Sequence, residues 1–161
     1  MRPSTDRVRE TIFNWLQGDI VGARCLDLFA GSGALGLEAA SRGAREVVLV
    51  ESHSLAQKNL ADNIQLLQAQ QVQLIRADAM SWLQQAQGVF DIVFIDPPYA
   101  SDLLAPSCAL LEQQNLLLPG AKIYLEYPSQ YDLPPLPSNW QIIRGKTAGQ
   151  VGYYLAQRDE G

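Results

Sequence analysis

The chain has 161 residues, 47% hydrophobic and 18% charged, which suits one globular domain spanning 1–161 and excludes the disordered and fibrous classes. No apolar run nears the roughly 18 residues that cross a bilayer, and no basic segment with an apolar stretch and cleavage site opens the chain, so a cytoplasmic protein without membrane association is expected. A net charge of -5 excludes a protein that grips nucleic acid over its whole surface, because phosphate contacts need Lys and Arg.

Arg2, Arg7 and Arg9 gather near the start, and Arg144 and Lys146 near the end. They are either a local positive patch or solvated surface charges. Residues 5–16 place Val8, Ile12, Trp15 and Leu16 at helical spacing, with Ser4 or Thr5 as a cap after Pro3, so a helix occupies the first 18 residues. Cys25 to Ala30 reads as a strand, followed by a glycine turn and a helix over Leu35 to Ser41. A second strand covers Glu46 to Val50 and ends in Glu51. Ser54 to Gln57 resembles a capping box that opens a helix to about Gln68. Val72 to Ile75 is a third strand, followed by Asp78. The run Phe90 to Ile95 is a fourth, stopped by Asp96-Pro97-Pro98 because proline cannot continue a central ladder. A helix over 102–114 and a strand over 121–126 follow. Prolines 128, 134, 135 and 137 forbid a long helix after that, and strands over 140–145 and 150–157 form a closing antiparallel hairpin. Strands alternating with helices predict an α/β fold: a seven-stranded, mostly parallel open sheet with helices on both faces and an antiparallel C-terminal hairpin.

Two stretches carry chemistry. Asp27-Leu-Phe29-Ala-Gly31-Ser32-Gly33-Ala-Leu-Gly36 sits where a strand hands over to a helix, and glycines there let backbone approach a nucleotide-like ligand. Glu51, 20 residues after Gly31, suits a ribose-binding acid in a dinucleotide enzyme or a methyltransferase. Asp27 favours a ligand with a positively charged amino group over a pyrophosphate, which selects S-adenosylmethionine. The second stretch is Asp96-Pro97-Pro98-Tyr99, at the carboxyl end of a strand, where open α/β sheets collect ligands. An exocyclic amine on a base is a poor nucleophile because its lone pair is delocalised into the ring. Acceptors such as the Asp96 carboxylate and the Pro97 carbonyl polarise its N–H bonds, the prolines stiffen the loop, and Tyr99 offers a face for a flipped base.

Taken together, Arg2 to Asn14, residues 27–39 and residues 96–99 resemble the bacterial 16S rRNA guanine-N2 methyltransferase family, a Rossmann-like class I fold, over residues 2 to about 157. The resemblance implies S-adenosylmethionine as cofactor, S-adenosylhomocysteine as product and 16S rRNA, within the small ribosomal subunit or an assembly intermediate, as partner. A monomer is expected, and the transfer requires no metal. Cofactor contacts then fall on Asp27, Phe29, Gly31, Ser32, Gly33, Glu51 and Ser52, on Asp78 and Ala79 near the adenine, on Asp96, and on Thr5 and Arg7 of the opening stretch. Asp96, Pro97, Pro98 and Tyr99 hold the guanine. Family members carry a further basic, glycine-rich segment before the Arg-Pro pair, whereas Met1 stands directly before it here. That difference bears on RNA affinity and leaves cofactor binding untouched.

Adenine-N6 DNA methylation and protein glutamine methylation could use a similar loop. A nicotinamide-dependent oxidoreductase would share the glycine turn but needs a hydride-handling acid that the sequence does not offer. His53, following Glu51, either borders the cofactor's ribose or adenine or is merely exposed, and it has no second histidine or nucleophile to work with. Trp15, Trp82 and Trp140 fall on apolar stripes, which favours core packing over base stacking; Tyr127 fits either role. Cys25 and Cys108 lack metal-site spacing and are expected to be buried thiols.

Overall fold

A computed structural model describes residues 5–98 and 102–160, excluding the Thr5 side chain. Ser4 and the Thr5 hydroxyl, expected as caps, therefore lie outside the described residues. Along the chain run α1 (Thr5–Trp15), β1 (Arg24–Asp27), α2 (Ala34–Ser41), β2 (Glu46–Glu51), α3 (Ser54–Leu66) and β3 (Val72–Arg76). The second half adds α4 (Ala79–Leu83), β4 (Phe90–Ile95), α5 (Leu104–Gln113), β5 (Leu117–Pro128), β6 (Trp140–Ala148) and β7 (Val151–Arg158).

The strands form one sheet in the order β3-β2-β1-β4-β5-β7-β6. The first five pair in parallel and β7 is antiparallel to both neighbours, in agreement with the expected mixed sheet. Because helices cover both faces, the central strands are apolar on both sides. Val47 and Leu49 of β2 pack toward Ile12 and Leu16 of α1, Ala39 of α2 and Leu60 of α3. Val48 and Val50 pack with Leu83 of α4 and with Leu104, Cys108 and Leu111 of α5. Strand order reverses between β1 and β4, and the crevice above their carboxyl ends is where such sheets bind ligands.

Several local expectations are corrected. β1 ends at Asp27 rather than Ala30, because the chain turns away into the glycine loop while Leu28 and Ala30 still donate to the carbonyls of Phe94 and Val50. No capping box opens α3: its N-cap is His53 without a side-chain bond, and the Gln57 amide instead donates to the Glu51 carbonyl at 2.9 Å. The short helix α4 has no counterpart in the sequence reading; at five residues it is too brief for a periodic signal, and Asp78 caps it by accepting from the Ser81 N–H at 3.0 Å. β5 begins at Leu117 because a register shift absorbs Pro119 and Gly120, which on sequence look like a turn. The closing hairpin is tighter than expected, with only Gly149 and Gln150 between Ala148 and Val151.

The hairpin is fastened to α5 by one carboxylate. Glu112 accepts from the Trp140 indole at 2.6 Å, from Asn139 at 3.1 Å and from Arg158 at 2.7 Å. Burial alone would push its carboxyl up; the bonds from Arg158, Trp140 and Asn139 outweigh that and hold it below its ordinary value.

Candidate active site

Above the carboxyl ends of β1, β2 and β4 lies a cavity of about 450 Å³, bounded on one side by Val8, Arg9 and Ile12 of α1 and reaching Glu126 and Val151 on the other. Its inner wall is built by the β1–α2 turn. Gly31 and Gly33 take φ values of 56° and 82°, the left-handed region that favours glycine. At Gly33 a Cβ would also come within 2.6 Å of Leu60, so this glycine serves the packing of α2 on α3 and does not line the cavity. Gly36 is tighter still, because a Cβ there would strike Leu49 of β2. Gly36 lets α2 lie against the sheet closely enough for its N–H to reach Asp27 Oδ2 at 3.2 Å.

Asp27 is 2% exposed at the tip of β1, yet it borders the cavity. Burial pushes its carboxyl up to about 7; the Gly36 N–H opposes this and the nearby Glu51 charge adds to it. Glu51, 7% exposed at the end of β2, accepts from Gly31 N–H at 2.7 Å and from His53 N–H at 3.0 Å, one bond to each oxygen. A carboxylate has about four lone-pair sites, so both oxygens retain capacity toward the cavity. Asp78 and Ala79 stand at the third strand's end, and Asp78 joins the wall while capping α4.

These donors and acceptors discriminate between ligands. The turn N–H groups that a pyrophosphate would need are already committed: Gly31 to Glu51, Gly33 to the Ala30 carbonyl at 2.8 Å, and Gly36 to Asp27. Three carboxylates, Asp27, Glu51 and Asp78, would face its charge. A phosphate-free ligand with a cationic amine and vicinal hydroxyls fits instead, and Leu28, Ala30, Val50 and Ala77 offer an apolar bed for a ring.

Past the tip of β4, Asp96 is half-buried and lines the cavity with Pro98, while Pro97 is buried behind them. Both expected halves of the site thus open into one space. Of the sequence candidates, Asp27, Phe29, Gly31, Ser32, Glu51, Ser52, Asp78, Ala79, Asp96 and Pro98 line it. Gly33 and Pro97 do not. Arg7 is exposed away from the wall, and the cation of α1 that reaches it is Arg9, because Val8, Arg9 and Ile12 share the inward helical face. Tyr99 and the Thr5 side chain lie outside the described residues.

Sequence reasoning missed Glu126 in the wall, because its place there depends on β5 lying beside β4, which brings the carboxyl end of β5 to the same crevice. Its neighbour Tyr127, which on sequence fits either role, packs against the core of the opposite sheet face. Trp82 and Trp140 also join the core, and Trp15 stacks on Tyr153 with ring centroids 5.5 Å apart. Cys25 and Cys108 are buried, and burial pushes both thiols up to about 12, which makes them inert. Among the described residues no group of three or more His, Cys, Asp or Glu gathers as a metal cage, and no helix is long and apolar enough to cross a membrane.

Comparison with known proteins places relatives beside this geometry. The family model described as conserved hypothetical protein 95 matches residues 1–157. A ribosomal RNA small subunit methyltransferase D from Escherichia coli is 47% identical over 99% of this chain and 80% of its own length. The protein of the same name from Haemophilus influenzae is 41% identical over 98% of this chain and 83% of its own. A solved structure from Escherichia coli, described as a candidate methyltransferase, superposes with a TM-score of 0.94 at 46% identity, covering 100% of this chain and 90% of the other.

Proposed function

Since the chain belongs to the conserved hypothetical protein 95 family, we propose that it transfers a methyl group from S-adenosylmethionine to the exocyclic N2 of a guanine in 16S rRNA. The observation that carries this reading is the single cavity in which an acid-lined, phosphate-excluding cofactor half meets the Asp96 tip of β4. The kinship with small subunit rRNA methyltransferases supplies the acceptor.

When bound, the cofactor supplies an electrophilic sulfonium methyl. Everything else falls to this chain. Asp27 receives the amino group of the methionyl part, Glu51 the ribose hydroxyls, and Asp78 and Ala79 the adenine edge. The Asp96 carboxylate and the Pro97 carbonyl accept the N–H bonds of the guanine amine, which draws its lone pair out of the ring and aims it. A proton then leaves the nitrogen along one of those bonds. Pro97 and Pro98 hold these acceptors rigid, and Tyr99 contributes the stacking face that its sequence position suggests. Catalysis of this kind draws on proximity and preorganised electrostatics.

RNA is met on the α1 side of the sheet. Arg144 and Lys146 of β6 pair opposite Leu155 and Tyr153, whose side chains pack on the α1 face, so these cations share a side with Arg7 and Arg9. The substrate is the small ribosomal subunit or an assembly intermediate. Exposing hypomethylated subunits and deproteinised rRNA to the enzyme with labelled cofactor, then mapping the modified base, tests the reading. Label on a guanine N2 supports it; label on adenine, on protein or nowhere refutes it.

A further inference from the structure

Glu126 is a carboxylate of the cavity wall to which the chemistry above gives no task. β4 and β5 run parallel with Phe94 opposite Tyr124 and Ile95 opposite Leu125. Strand alternation therefore carries Asp96 and Glu126 to neighbouring positions on one sheet face. Beneath them lies Tyr124, fully buried, whose hydroxyl donates to Glu126 Oε2 at 2.6 Å. Burial first, then the Glu126 charge and hydrogen bond, then the Asp96 charge hold this phenol far above its ordinary value. It stays a neutral donor at any working pH, and so fixes Glu126 as an acceptor.

We propose that Glu126 accepts the N1–H of the target guanine, beside the N2 amine held by Asp96, and thereby makes the site select guanine over adenine. The inference rests on the guanine reading above and deepens it. Guanine presents two adjacent donors on its Watson–Crick edge, N1–H and N2–H. Adenine presents an amine beside a bare N1 lone pair. Two carboxylates side by side at the tips of adjacent strands, whose backbones run about 4.8 Å apart, match the first pattern. The second would set a lone pair against a negative charge, the kind of buried mismatch by which a polar site rejects a near-isostere. A carboxylate bonded to Tyr124 still has lone pairs for a base, since it offers about four acceptor sites.

The test uses the full chain and small subunits reconstituted with either guanine or 2-aminopurine at the methylated position. The analogue keeps the N2 amine, replaces N1–H by a lone pair and lacks O6, a loss common to wild type and variant that cancels when their base preferences are compared. Wild type prefers guanine. Glu126→Gln lowers kcat/KM on guanine roughly 10- to 100-fold, the range for losing a hydrogen bond to a charged group. It loses far less on 2-aminopurine, because the new amide can donate to N1, and the preference collapses. S-adenosylhomocysteine affinity stays within about twofold, since no cofactor role falls on Glu126. Glu126→Asp, which keeps the charge on a shorter arm, retains the guanine preference at a lower rate. Equal activity of Glu126→Gln and wild type on guanine, or equal loss on both bases, overturns the inference alone. A wild-type enzyme that methylates no guanine overturns the reading beneath it as well.

Discussion

Replacing Asp27 by Asn should stabilise the free protein while weakening its hold on the cofactor, two effects of opposite sign from one isosteric change. In the free protein burial raises this carboxyl from 3.8 to about 7. A carboxylate with a raised native value binds more protons folded than unfolded between those limits, so its contribution to stability falls as pH rises from about 4 to about 7. At about 1.36 kcal/mol per unit, the roughly three units cap the penalty near 4 kcal/mol above pH 7. Asn keeps an oxygen for the Gly36 N–H but is itself a buried polar group, so the net gain should be about 1–2 kcal/mol. For a domain of this size that is a rise in Tm of about 3–6 °C at pH 8; near pH 4 the carboxylate penalty is gone and only the cost of the buried amide remains, so the variant should there be about 2–3 kcal/mol less stable than wild type. S-adenosylhomocysteine should bind the variant about 10- to 100-fold more weakly at pH 8, the loss for a charge-assisted bond. Wild-type affinity should fall about tenfold per unit as pH drops below 7 and the carboxyl takes up a proton, whereas the variant's affinity should be flat there. Differential scanning calorimetry and isothermal titration over pH 5–8 read both quantities. A variant no more stable than wild type at pH 8 refutes the raised carboxyl, and one that binds with unaltered affinity and pH dependence refutes the assignment of Asp27 to the amino group.

Asp96→Ala should cost at least about 10²–10³-fold in methyl transfer with cofactor affinity largely kept, measured by single-turnover transfer beside titration; undiminished transfer would remove Asp96 from the chemistry. Gly36→Ala should lower stability by about 1–3 kcal/mol in denaturant melts although alanine favours helices, because the added carbon meets Leu49 of β2; a gain would mean that α2 can shift freely. Glu112→Gln should lower stability by about 1–2 kcal/mol at pH 7 by weakening the tie between α5 and the hairpin. A lowered carboxyl stabilises above its unfolded value of about 4.5 and loses that contribution as pH falls, so the gap between wild type and variant should close under acid; a gap constant across urea melts at pH 3–7 would contradict it.

The strand-turn-helix reading of 25–41 succeeded because local and tertiary requirements agree there: Gly33, which takes left-handed backbone, is also where α2 needs room against Leu60, and Gly36 one turn on gives it room against Leu49. The Asp96-Pro97-Pro98 stop was legible for a similar reason, since prolines end a ladder whatever lies around them. What failed was information stored in packing. Arg7 and Arg9 are indistinguishable by residue type, and only the rotation of α1 on the sheet decides that Arg9 faces the cavity. Gln57 looks like a cap partner until the end of β2 lies beside it and offers the Glu51 carbonyl. Glu126 carries no motif, and its position follows from strand order, which local spacing does not encode.

That strand order also resolves the tension between an acidic chain and a nucleic acid substrate. Among the described residues the cavity gathers Asp27, Glu51, Asp78, Asp96 and Glu126 against Arg9, so most of the net charge of -5 is spent on one cleft, and the remaining chain is nearly neutral. In a cleft of that sign Asp27, Glu51 and Asp78 would attract a cationic cofactor, Asp96 and Glu126 a base edge rich in N–H donors, and all would repel phosphate. A nucleic acid strand would then be drawn by the cations of α1 and β6 at the surface, and only a base stripped of its neighbours could enter. The same carboxylates that make the protein acidic would thus enforce base flipping, because the phosphates of a stacked strand would be held outside while a donor-rich edge is admitted.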